Sequence, residues 1–526
     1  MAQMELSRLI EKFPTSDRRG GGNPTVHRIV YDSRSVEPGA LFVALPGVHV
    51  DGHDYIPHAV ERGASVIVAE QLPAPEAAPT QRDGSPVYLQ VPNARVALSD
   101  LSARLYDHPS HHIPVIGVTG TDGKSTTTYL IDQLLTLMEE ESGFVSTALI
   151  KRDLRLEKNP FRQSTPEAPE VHGFLREMIE NGKRFAVVEA TSHGLSEKTA
   201  RLKDVAFHVA VFTNITHEHL EFHGSFERYR SDKANLFRAL DRTAARRRDL
   251  DYPVFGVVNH DDPNAYYFRH ATRQRVYTYS VRDPEADLYA GGLKPDMRGT
   301  SCLVHWGRES RETRVPLPGP FNVENVLAAV LATALILDRN PLDVLDVVGG
   351  LKGLPGRMQV VSHEAPFSPV VDYAHTPGAF EKVLPLVKGY TTGRLIVVFG
   401  SAGERDIDKR PMQGELASRH ADIVILTDED PRGEDRMAII EDIAEGCGRV
   451  GADLRRRGAL HLIPDRRAAI RHALELAREG DTVLFLGKGH ESSIIYADHT
   501  LDWNEAQVVA EELAGLTGLA RKGDSA

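Results

Sequence analysis

The run from Gly117 to Thr126, Gly-Val-Thr-Gly-Thr-Asp-Gly-Lys-Ser-Thr, constrains this chain more than any other ten residues. It follows an apolar stretch at 113–116 that predicts a buried strand, and it precedes a helical apolar pattern over 127–137. Strand, glycine-rich turn, Lys-Ser and helix together predict a cradle for nucleotide phosphates, because backbone amides and a helix N-terminus attract anions. The spacing is tighter than in an ordinary Walker A loop, whose first glycine is replaced by Val118. The alternative is a glycine turn that only caps a helix.

The side chains of this turn are predicted to bind different parts of the nucleotide and its metal ion. We expect Lys124 to neutralise phosphate charge and Ser125 to hold Mg²⁺. The predicted ATP-binding residues of the turn are Gly120, Thr121, Asp122, Gly123, Lys124, Ser125 and Thr126.

Length and composition restrict the class of protein. A chain of 526 residues predicts about three domains. Its net charge of −12 argues against a nucleic-acid partner. Two cysteines, Cys302 and Cys447, fit a reducing compartment and exclude a disulfide scaffold. The first residues lack an apolar signal core and no stretch reaches membrane-spanning length. We therefore expect a cytoplasmic enzyme without membrane insertion, and no obligate protein partner is evident.

The order of apolar and turn-rich segments predicts an α/β fold with three domains, at 1–110, 111–352 and 353–526. Alternating strands and helices indicate a central, mostly parallel sheet of the P-loop type and a C-terminal Rossmann-like domain. A Pro- and Gly-rich loop is expected at 70–86 and a disordered tail at 518–526. The expected strands are 26–31, 41–45, 65–69, 115–118, 185–189, 208–212, 254–259, 395–399, 423–427 and 483–486.

Polar residues that follow the central strands are candidates for metal and phosphate binding. Glu189 ends a strand, where a carboxylate is placed to hold a metal beside the phosphate loop, although a solvent-exposed acid is the alternative. The stretch 213–224 carries three histidines within seven residues, at 217, 219 and 223, which suggests a metal or phosphate site. Oxygen ligands and ATP favour Mg²⁺ over zinc. A lone histidine there would more often be structural, and Lys233 reads as a surface lysine.

The last third of the chain carries mixed charges directly after its strands. These residues occur at 372–377, 403–406, 428–432 and 487–491. Because the carboxyl ends of parallel strands share one edge, we expect them to line one rim. Opposite charges on that rim suit a zwitterionic amino acid.

These motifs, in this order, resemble those of the Mur ligases, the ATP-dependent amino-acid ligases of peptidoglycan precursor synthesis. The resemblance covers nearly the whole chain and is greatest to the branch that adds a diamino acid as third residue. The matching motifs are Asp32-Ser33-Arg34, 38–45, Asp51-Gly52-His53, the phosphate loop, Ser164-Thr165-Pro166-Glu167, Asn322-Val323-Glu324-Asn325, Pro355-Gly356-Arg357-Met358, Tyr373-Ala374-His375-Thr376-Pro377 and Gly487-Lys488-Gly489-His490-Glu491.

The resemblance implies a role for each set of residues. Catalytic roles fall to Lys124, His219 and Lys233, the last as a candidate carbamate. ATP binding would be completed by Asn322, Arg357 and Asp372, and the Mg²⁺ ligands would be Ser125, Glu189, His219 and Lys233. UDP-sugar and dipeptide binding would fall to Tyr31, Ser33, Val48, His49, Val50, Ser164, Thr165, Thr191, Thr199 and Arg201. The amino acid would be bound by Arg405, Asp430, Arg432, Gly487 and Glu491.

The implied reaction joins a diamino acid to the D-Glu of UDP-MurNAc-L-Ala-D-Glu through an acyl phosphate. For the diamino acid, the guanidinium of Arg432, assisted by Arg405, favours the distal carboxylate of meso-2,6-diaminopimelate. Asp430 stands where asparagine is usual and favours an ammonium, an effect that Asp428 and Glu429 would deepen. Asp430 and Arg432 together suit a zwitterion, so meso-diaminopimelate is favoured over L-lysine and L-ornithine.

A second departure from the family pattern and three rival interpretations stay open. The stretch 196–200 is about two residues longer than usual, which affects the match of Thr199 and Arg201. A P-loop kinase or motor NTPase is disfavoured by the tight loop, and a dinucleotide-binding oxidoreductase by the lack of a suitable Gly-x-Gly-x-x-Gly. Folylpolyglutamate synthetase, a relative, should lack the first domain.

Overall fold

A computed structural model of the chain describes residues 3–47, 50–74, 86–161, 164–216, 220–246, 250–362, 364–450 and 452–523. It divides into two units, which we describe separately. The first comprises 1–289, 305–309 and 324–347, and the second comprises 290–304, 310–323 and 348–526. The three-domain boundaries at 110 and 352 stay a prediction.

The first unit begins with a five-stranded sheet in the order β2-β7-β6-β5-β4, parallel except for the edge strand β2. Apolar residues cover both faces of this sheet in two clusters. The elements of this region are β1 (Met4–Glu5), α1 (Leu6–Leu9), β2 (Asp17–Arg19), β3 (Thr25–Val26), β4 (Ile29–Val30), β5 (Leu41–Val43), α2 (Ile56–Glu61), β6 (Val66–Ala69), β7 (Val87–Gln90) and α3 (Ala94–Leu105).

A larger sheet follows, in which β9, β12, β8, β13, β14 and β15 lie side by side and parallel. Every residue of β8, β12, β13 and β14 is buried, as expected for parallel strands covered on both faces. The strands of the first unit are β8 (Val115–Thr119), β9 (Ser142–Val145), β10 (Leu149–Lys151), β11 (Glu157–Lys158), β12 (Phe185–Glu189), β13 (Val209–Phe212), β14 (Phe255–Asn259) and β15 (Val276–Ser280). Three more strands, most of whose residues are assigned to the second unit, are β16 (Leu288–Asp296), β17 (Gly299–Trp306) and β18 (Glu309–Val315).

The helices of this region begin at recognisable caps. Gly123, in a left-handed conformation, precedes α4, and the Ser225 hydroxyl accepts a hydrogen bond from the Arg228 amide at the start of α8. They are α4 (Lys124–Leu137), α5 (Ala168–Glu180), α6 (Ser192–Leu195), α7 (Leu220–His223), α8 (Phe226–Ala245), α9 (Ala265–Arg269), α10 (Pro320–Ile336) and α11 (Pro341–Val344).

The second unit is built on a six-stranded sheet in the order β19-β20-β24-β21-β22-β23, parallel except for the edge strand β19. Helices pack apolar residues on both of its faces. The elements are β19 (Gln359–Val360), β20 (Ser368–Asp372), α12 (Pro377–Tyr390), β21 (Leu395–Phe399), α13 (Lys409–His420), β22 (Ile423–Leu426), α14 (Arg436–Val450), α15 (Ala452–Arg456), β23 (Leu460–Leu462), α16 (Arg466–Leu476), β24 (Thr482–Leu486), β25 (Ser493–Ile495), β26 (Thr500–Asp502) and α17 (Glu505–Gly523).

The predicted α/β class with mostly parallel sheets is confirmed, and two expectations are corrected. The expected strand at 26–31 is two strands, because β3 pairs with β1 whereas β4 pairs with β5 in the neighbouring sheet. The expected disordered tail at 518–526 overlaps α17, which continues to Gly523. Most of the expected loop at 70–86 lies outside the described residues. Among the described helices, none is long and apolar enough to cross a membrane.

Candidate functional site

The phosphate loop follows β8. At Gly120 and Gly123, neighbouring atoms lie so close to the backbone that there is no room for a side chain. Gly120 has φ +151°, and a Cβ there would lie 1.9 Å from Oγ1 of Thr213. Gly123 has φ +80°, and a Cβ there would lie 2.4 Å from Oδ1 of Asn325. Any other residue would displace the loop, so both glycines fix its path.

Backbone and side-chain hydrogen bonds hold the loop against the segment that follows β13. The Thr121 amide donates to the Asn214 carbonyl (2.7 Å), and the Asp122 amide donates to Oδ1 of the same asparagine (2.9 Å). Nζ of Lys124 donates to the Thr121 carbonyl (2.7 Å), which folds its ammonium over the loop. The loop is thus preorganised, with the Lys124 cation at the N-terminus of α4.

Ser125 and Glu189 lie together beside the loop. Oγ of Ser125 donates to Oε2 of Glu189 (2.7 Å), and the amide and hydroxyl of Thr147 donate to the same carboxylate (2.7 and 2.8 Å). Glu189 is buried, so the alternative of a solvent-exposed strand-end acid is wrong. A hydroxyl and an adjacent carboxylate are the oxygen ligands that Mg²⁺ prefers.

Lys233 is not a surface lysine, since its side chain is only 2% exposed. Its Nζ donates to the Gly120 carbonyl (2.5 Å) and lies 4.6 Å from the ring centroid of Tyr229. The hydroxyl of Tyr229 in turn contacts Oγ1 of Thr121 (3.0 Å). A 3.6-residue period places Lys233 on the face of α8 that also buries Tyr229, Leu236 and Phe237.

The predicted histidine cluster is only partly described. His223 is buried, with Nδ1 2.8 Å from Oδ2 of Asp232 and Nε2 3.0 Å from Oγ of Ser192. Both ring nitrogens are therefore occupied by protein partners, so the interpretation of His223 as a metal or phosphate ligand is wrong. His217 and His219 lie outside the described residues. Within the described residues, no group of three or more His, Cys, Asp and Glu side chains is arranged to hold a metal.

The first sheet carries a cavity of about 560 Å³ at the ends of β4 and β5. Tyr31, Ser33 and Val50 line it, together with Arg95 and Glu167, whereas Val48 and His49 lie outside the described residues. The Tyr31 hydroxyl donates to Oε1 of Glu170 (3.4 Å), and burial raises the pKa of Glu170 to about 7. The volume and mixed lining are typical of a small-molecule site.

Four of the five predicted dipeptide-binding residues outside the first sheet are linked to one another or to their loop. Arg201 donates from Nη1 to the Thr165 carbonyl (3.0 Å) and from Nε to Oε1 of Glu167 (3.0 Å). The hydroxyls of Thr165 and Thr191 lie 2.8 Å apart. Thr199 instead donates to the carbonyls of residues 193 and 196 within its own loop. Ser164 makes no hydrogen bond with the other residues that the structure describes.

In the second unit, the predicted residues Arg357 and Asp372 lie near each other. The buried Asp372 carboxylate accepts hydrogen bonds from the amides of Met358 and Ala374 (both 2.8 Å), and burial raises its pKa while Arg357 lowers it. The Arg357 guanidinium lies 4.9 Å from the Tyr373 ring centroid. Asn322 also belongs to this unit and donates from Nδ2 to the Pro318 carbonyl (2.7 Å).

Asp430 and Glu491 are joined by a lysine that the sequence motifs contain but to which we assigned no role. Nζ of Lys488, fully buried, lies 2.8 Å from Oδ1 of Asp430 and 2.7 Å from Oε2 of Glu491. Asp428 is paired with Arg436. Nearby cations therefore offset the charges of both Asp430 and Asp428, whose effect on a bound ammonium stays a prediction.

Two further groups of this rim have buried atoms without a hydrogen-bond partner among the described residues: Nε of Arg432 and Oε2 of Glu429. Arg432 has φ +54°, and its amide donates to the Ile495 carbonyl (2.9 Å). Burial raises the pKa of Glu429 to about 7. Gly487, at φ +101°, approaches Glu429 so closely that a Cβ would lie 3.1 Å from Oε2. Arg405 is exposed.

Sequence reasoning missed several residues that build these sites. Contacts described above involve Lys488, Tyr229, Asn214 and Glu167, yet the sequence motifs predicted no role for any of these four residues. Of these four residues, Lys488 is the one that its sequence could have identified. It lies between two glycines directly after a strand, a position where a lysine with no partner is unusual.

Three family models match consecutive parts of the chain. They are described as "Mur ligase family, catalytic domain" at residues 25–107, "Mur ligase middle domain" at 118–333 and "Mur ligase, glutamate ligase domain" at 356–489.

Full-length relatives show the same family. A protein named UDP-N-acetylmuramyl-tripeptide synthetase from Roseiflexus sp. (strain RS-1) is 48% identical over 94% of this chain and 96% of its own length. A protein of the same name from Borreliella afzelii (strain PKo) is 42% identical over 95% of each chain. A UDP-N-acetylmuramoyl-L-alanyl-D-glutamate–2,6-diaminopimelate ligase from Geobacillus thermodenitrificans (strain NG80-2) is 36% identical over 96% of this chain and 98% of its own.

A solved structure supports the fold. A structure titled UDP-N-acetylmuramoyl-L-alanyl-D-glutamate–2,6-diaminopimelate ligase aligns with a TM-score of 0.68 and 29% identity, over 94% of this chain and 95% of that one. With a relative at 48% identity over nearly its whole length, this chain belongs to the Mur ligase family of ATP-dependent ligases.

Proposed function

We propose that this Mur ligase joins a diamino acid to the D-Glu of UDP-MurNAc-L-Ala-D-Glu, with cleavage of ATP to ADP and phosphate. The single observation that carries this proposal is the pair of ligand-sized sites in the first unit. One is a phosphate loop braced by Asn214 and Asn325, and the other is the cavity lined by Tyr31 and Ser33. The names of relatives similar over their full length support the same substrate.

The phosphate loop is proposed to bind ATP through its backbone amides and Lys124. Further ATP-binding roles are proposed for Asn322, Arg357 and Asp372. The hydroxyl of Ser125 and the carboxylate of Glu189 fit Mg²⁺ by their chemistry, and His219 is proposed as a further ligand. When bound, the ion would offset phosphate charge during phosphoryl transfer.

Lys233 is proposed to act as a carbamate. Its Nζ is buried beside the carbonyl of Gly120, in the loop that would hold phosphates. A carbamate would replace the buried cation with an anion of carboxylate type and keep one N–H for that carbonyl.

The UDP group is proposed to bind in the cavity of the first sheet, through Tyr31, Ser33 and the 48–50 loop. The peptide would extend past Ser164, Thr165, Thr191 and Thr199 to Arg201. Arg201 is held by the Thr165 carbonyl and the Glu167 carboxylate, so its guanidinium is oriented before substrate binds.

The reaction requires activation because a carboxylate is a poor electrophile. The γ-phosphoryl group passes to the D-Glu γ-carboxylate, and the resulting acyl phosphate is attacked by an amine of the diamino acid. The tetrahedral species then expels phosphate. Lys124 stabilises the charge that develops on the transferred group, and the preorganised loop keeps the reacting atoms aligned.

Phosphate release tests this proposal. We expect turnover only when ATP, UDP-MurNAc-L-Ala-D-Glu and a diamino acid are all present, with the tripeptide product found by mass spectrometry. Omission of either acceptor is the control. Phosphate release that continues at the same rate without the UDP-sugar would instead support a P-loop NTPase or kinase.

For the diamino acid, we propose meso-2,6-diaminopimelate, bound by Arg432, Asp430, Glu491, Gly487 and Arg405. Lys488 offsets the charges of Asp430 and Glu491, while Nε of Arg432 has no hydrogen-bond partner among the described residues. An available guanidinium suits the distal carboxylate that L-lysine and L-ornithine lack.

Measuring kcat/KM for the three amino acids decides between them. We expect meso-diaminopimelate to be preferred by at least tenfold, about 1.4 kcal/mol, because the half-buried guanidinium of Arg432 would have no anion to bind in complexes with the other two amino acids. A tenfold preference for lysine or ornithine would contradict this choice without affecting the proposed ligase reaction.

The state of the two cysteines supports a proposal for the cellular compartment of the enzyme. Cys302 and Cys447 are both free and buried, as is usual where thiols stay reduced. We therefore place the enzyme in the cytoplasm, where ATP is available.

A further inference from the structure

A second cavity of the first unit has no part in the proposed reaction. Its volume is about 540 Å³, within the range of sites for small organic ligands. The start of α3, the segment 194–207 and one face of α8 form its walls. None of the residues proposed above to bind ATP, the UDP-sugar or the amino acid is among the described residues that line it.

The floor of this cavity is apolar. It is formed by Leu195, Leu202, Val205, Phe207 and Ala239, all of which are buried. Such a floor favours an apolar body, because covering it removes hydrocarbon surface from water.

The rim is charged, with an excess of cations. Lys203, Arg242 and Arg246 line it, against Asp204 and Glu197. Arg242 and Arg246 are four residues apart at the end of α8, where like charges repel. Arg242 is exposed, but the neighbouring wall partly desolvates its guanidinium and lowers its pKa; Asp204 raises this pKa and the charge of Arg246 lowers it. An anion between the two guanidinium groups would relieve this repulsion.

The carboxylate of Asp204 favours a ligand that can donate a hydrogen bond. Its Oδ2 is buried in the wall and accepts no hydrogen bond from any described residue. An unpaired buried carboxylate oxygen is costly, so a ligand N–H or O–H there would be favoured. Floor, rim and Asp204 together define the ligand class as a small organic acid with an apolar body and one donor.

The cavity shares a wall with the proposed substrate site. On α3, Asn93 and Val96 face this cavity whereas Arg95 lines the cavity of the first sheet. In the loop after α6, Ala200 and Leu202 line this cavity whereas Arg201 contacts Thr165 and Glu167. This loop contains the stretch 196–200, in which the sequence departs from the family pattern.

We propose that the second cavity is a regulatory site for a small organic acid, which changes the affinity for the UDP-sugar by shifting the wall that carries Arg95 and Arg201. The binding part of this inference is independent of the proposed function, and only the coupling rests on it. By linkage, the UDP-sugar must change the affinity for the acid by the same factor.

Binding is tested with 8-anilinonaphthalene-1-sulfonate, which has an apolar body, one anionic group and one N–H. The full chain is titrated by fluorescence with saturating ADP and Mg²⁺ present, so that the nucleotide site is filled. We expect one saturable site, about tenfold weaker binding in Arg242→Gln, and no change in Arg269→Gln, which alters an exposed arginine on α9. Equal affinity in wild type and Arg242→Gln would overturn the proposal.

The position of the probe is tested with one engineered thiol, since both native cysteines are buried. In Glu197→Cys, an exposed position that lines the cavity, the probe should slow modification by N-ethylmaleimide at least fivefold, and in Arg269→Cys it should not. Absence of protection at position 197 would overturn the proposal, even if the probe binds elsewhere.

Coupling is tested by kinetics. Saturating probe should change KM for the UDP-sugar by about fivefold in the wild type and leave it unchanged in Arg242→Gln. Bound probe with an unaltered substrate affinity would overturn the regulatory role. If no ligation occurs under any condition, the proposed function fails, while the two binding experiments still decide whether the cavity takes an organic acid.

Discussion

The phosphate loop of the first unit and the charged rim of the second are held in different ways. The phosphate loop is held through its main-chain amides: that of Thr121 donates to the Asn214 carbonyl and that of Asp122 donates to the Asn214 side chain. Side-chain charges fix the rim, where Lys488 lies between Asp430 and Glu491. The loop therefore needs particular residue types at fixed spacing in the sequence. The rim needs only that its positive and negative side chains balance.

This difference explains how each region should respond to substitution. Changes in the loop should abolish chemistry with little effect on folding, because its cation faces the ligand. Changes in the rim should alter stability and pH dependence, because its charges stabilise one another.

Lys124→Ala should give the largest effect. Without the cation at the start of α4, ligation should fall by at least about a thousandfold, since one charge that stabilises the transferred phosphoryl group is lost. The affinity for the UDP-sugar should stay nearly unchanged, because the cavity of Tyr31 and Ser33 is untouched. Rates and binding are measured in parallel, with the exposed Lys294→Ala as control. Ligation at near the wild-type rate would remove the phosphate-loop assignment.

Lys488→Met should destabilise the second unit strongly. The change leaves Asp430, whose side chain is 13% exposed, without its cation, and removing one partner of a buried pair costs about 3–5 kcal/mol. The matched control is Lys388→Met, which breaks a surface pair with Asp422 and should cost at most about 1 kcal/mol. Denaturant unfolding measures both. Similar losses in the two variants would show that the rim is not held by charge.

Gly123→Ala should weaken ATP binding about a hundredfold by displacing the loop. Its Cβ would lie 2.4 Å from Oδ1 of Asn325, and φ is +80°. Gly182→Ala is a matched control with φ +74° and no atom of the described residues within 4 Å of the added Cβ, so it carries the backbone strain without the clash. Calorimetric titration with ATP compares them. Comparable affinity in both variants would mean that the close approach to Asn325 does not shape the site.

Glu429→Gln should remove a part of the pH dependence of stability. Burial raises the pKa of Glu429 from its ordinary 4.5 to about 7. Between these values the folded protein retains a proton that the unfolded chain releases, so the free energy of unfolding falls as pH rises from 4.5 to 7. Between pH 5 and 8 the wild type should lose on the order of 2 kcal/mol more than the variant. The exposed Glu441→Gln should behave like the wild type, and parallel curves for all three would contradict the shift.

The sequence predicted the strands and the phosphate loop well, but it did not predict the charge pairs of the rim. Strands such as 185–189 and 395–399 were predicted to the residue, because buried parallel strands are continuous apolar runs. The α/β class followed from their alternation with helices. Ser125, in the first turn of α4, contacts Glu189 at the end of β12, which agrees with the prediction of a strand-end carboxylate beside the phosphate loop.

The failures concern charged side chains whose environment is set by distant residues. The burial of Lys233 depends on the carbonyl of Gly120, 113 residues away in the chain. His223 resembles a ligand until Asp232 and Ser192 are seen to occupy its ring nitrogens. The charge of Asp430 could not be judged without Lys488, 58 residues further on.

The central claim is that the γ-phosphoryl group of ATP passes to the D-Glu carboxylate before the amide bond forms. UDP-MurNAc-L-Ala-D-Glu labelled with ¹⁸O in both oxygens of that carboxylate tests it directly, with the released phosphate analysed by mass spectrometry. The account predicts one ¹⁸O atom in each phosphate and one in the new amide carbonyl, because the activated oxygen leaves with the phosphoryl group. Unlabelled phosphate would contradict it, since water would then be the acceptor of the phosphoryl group.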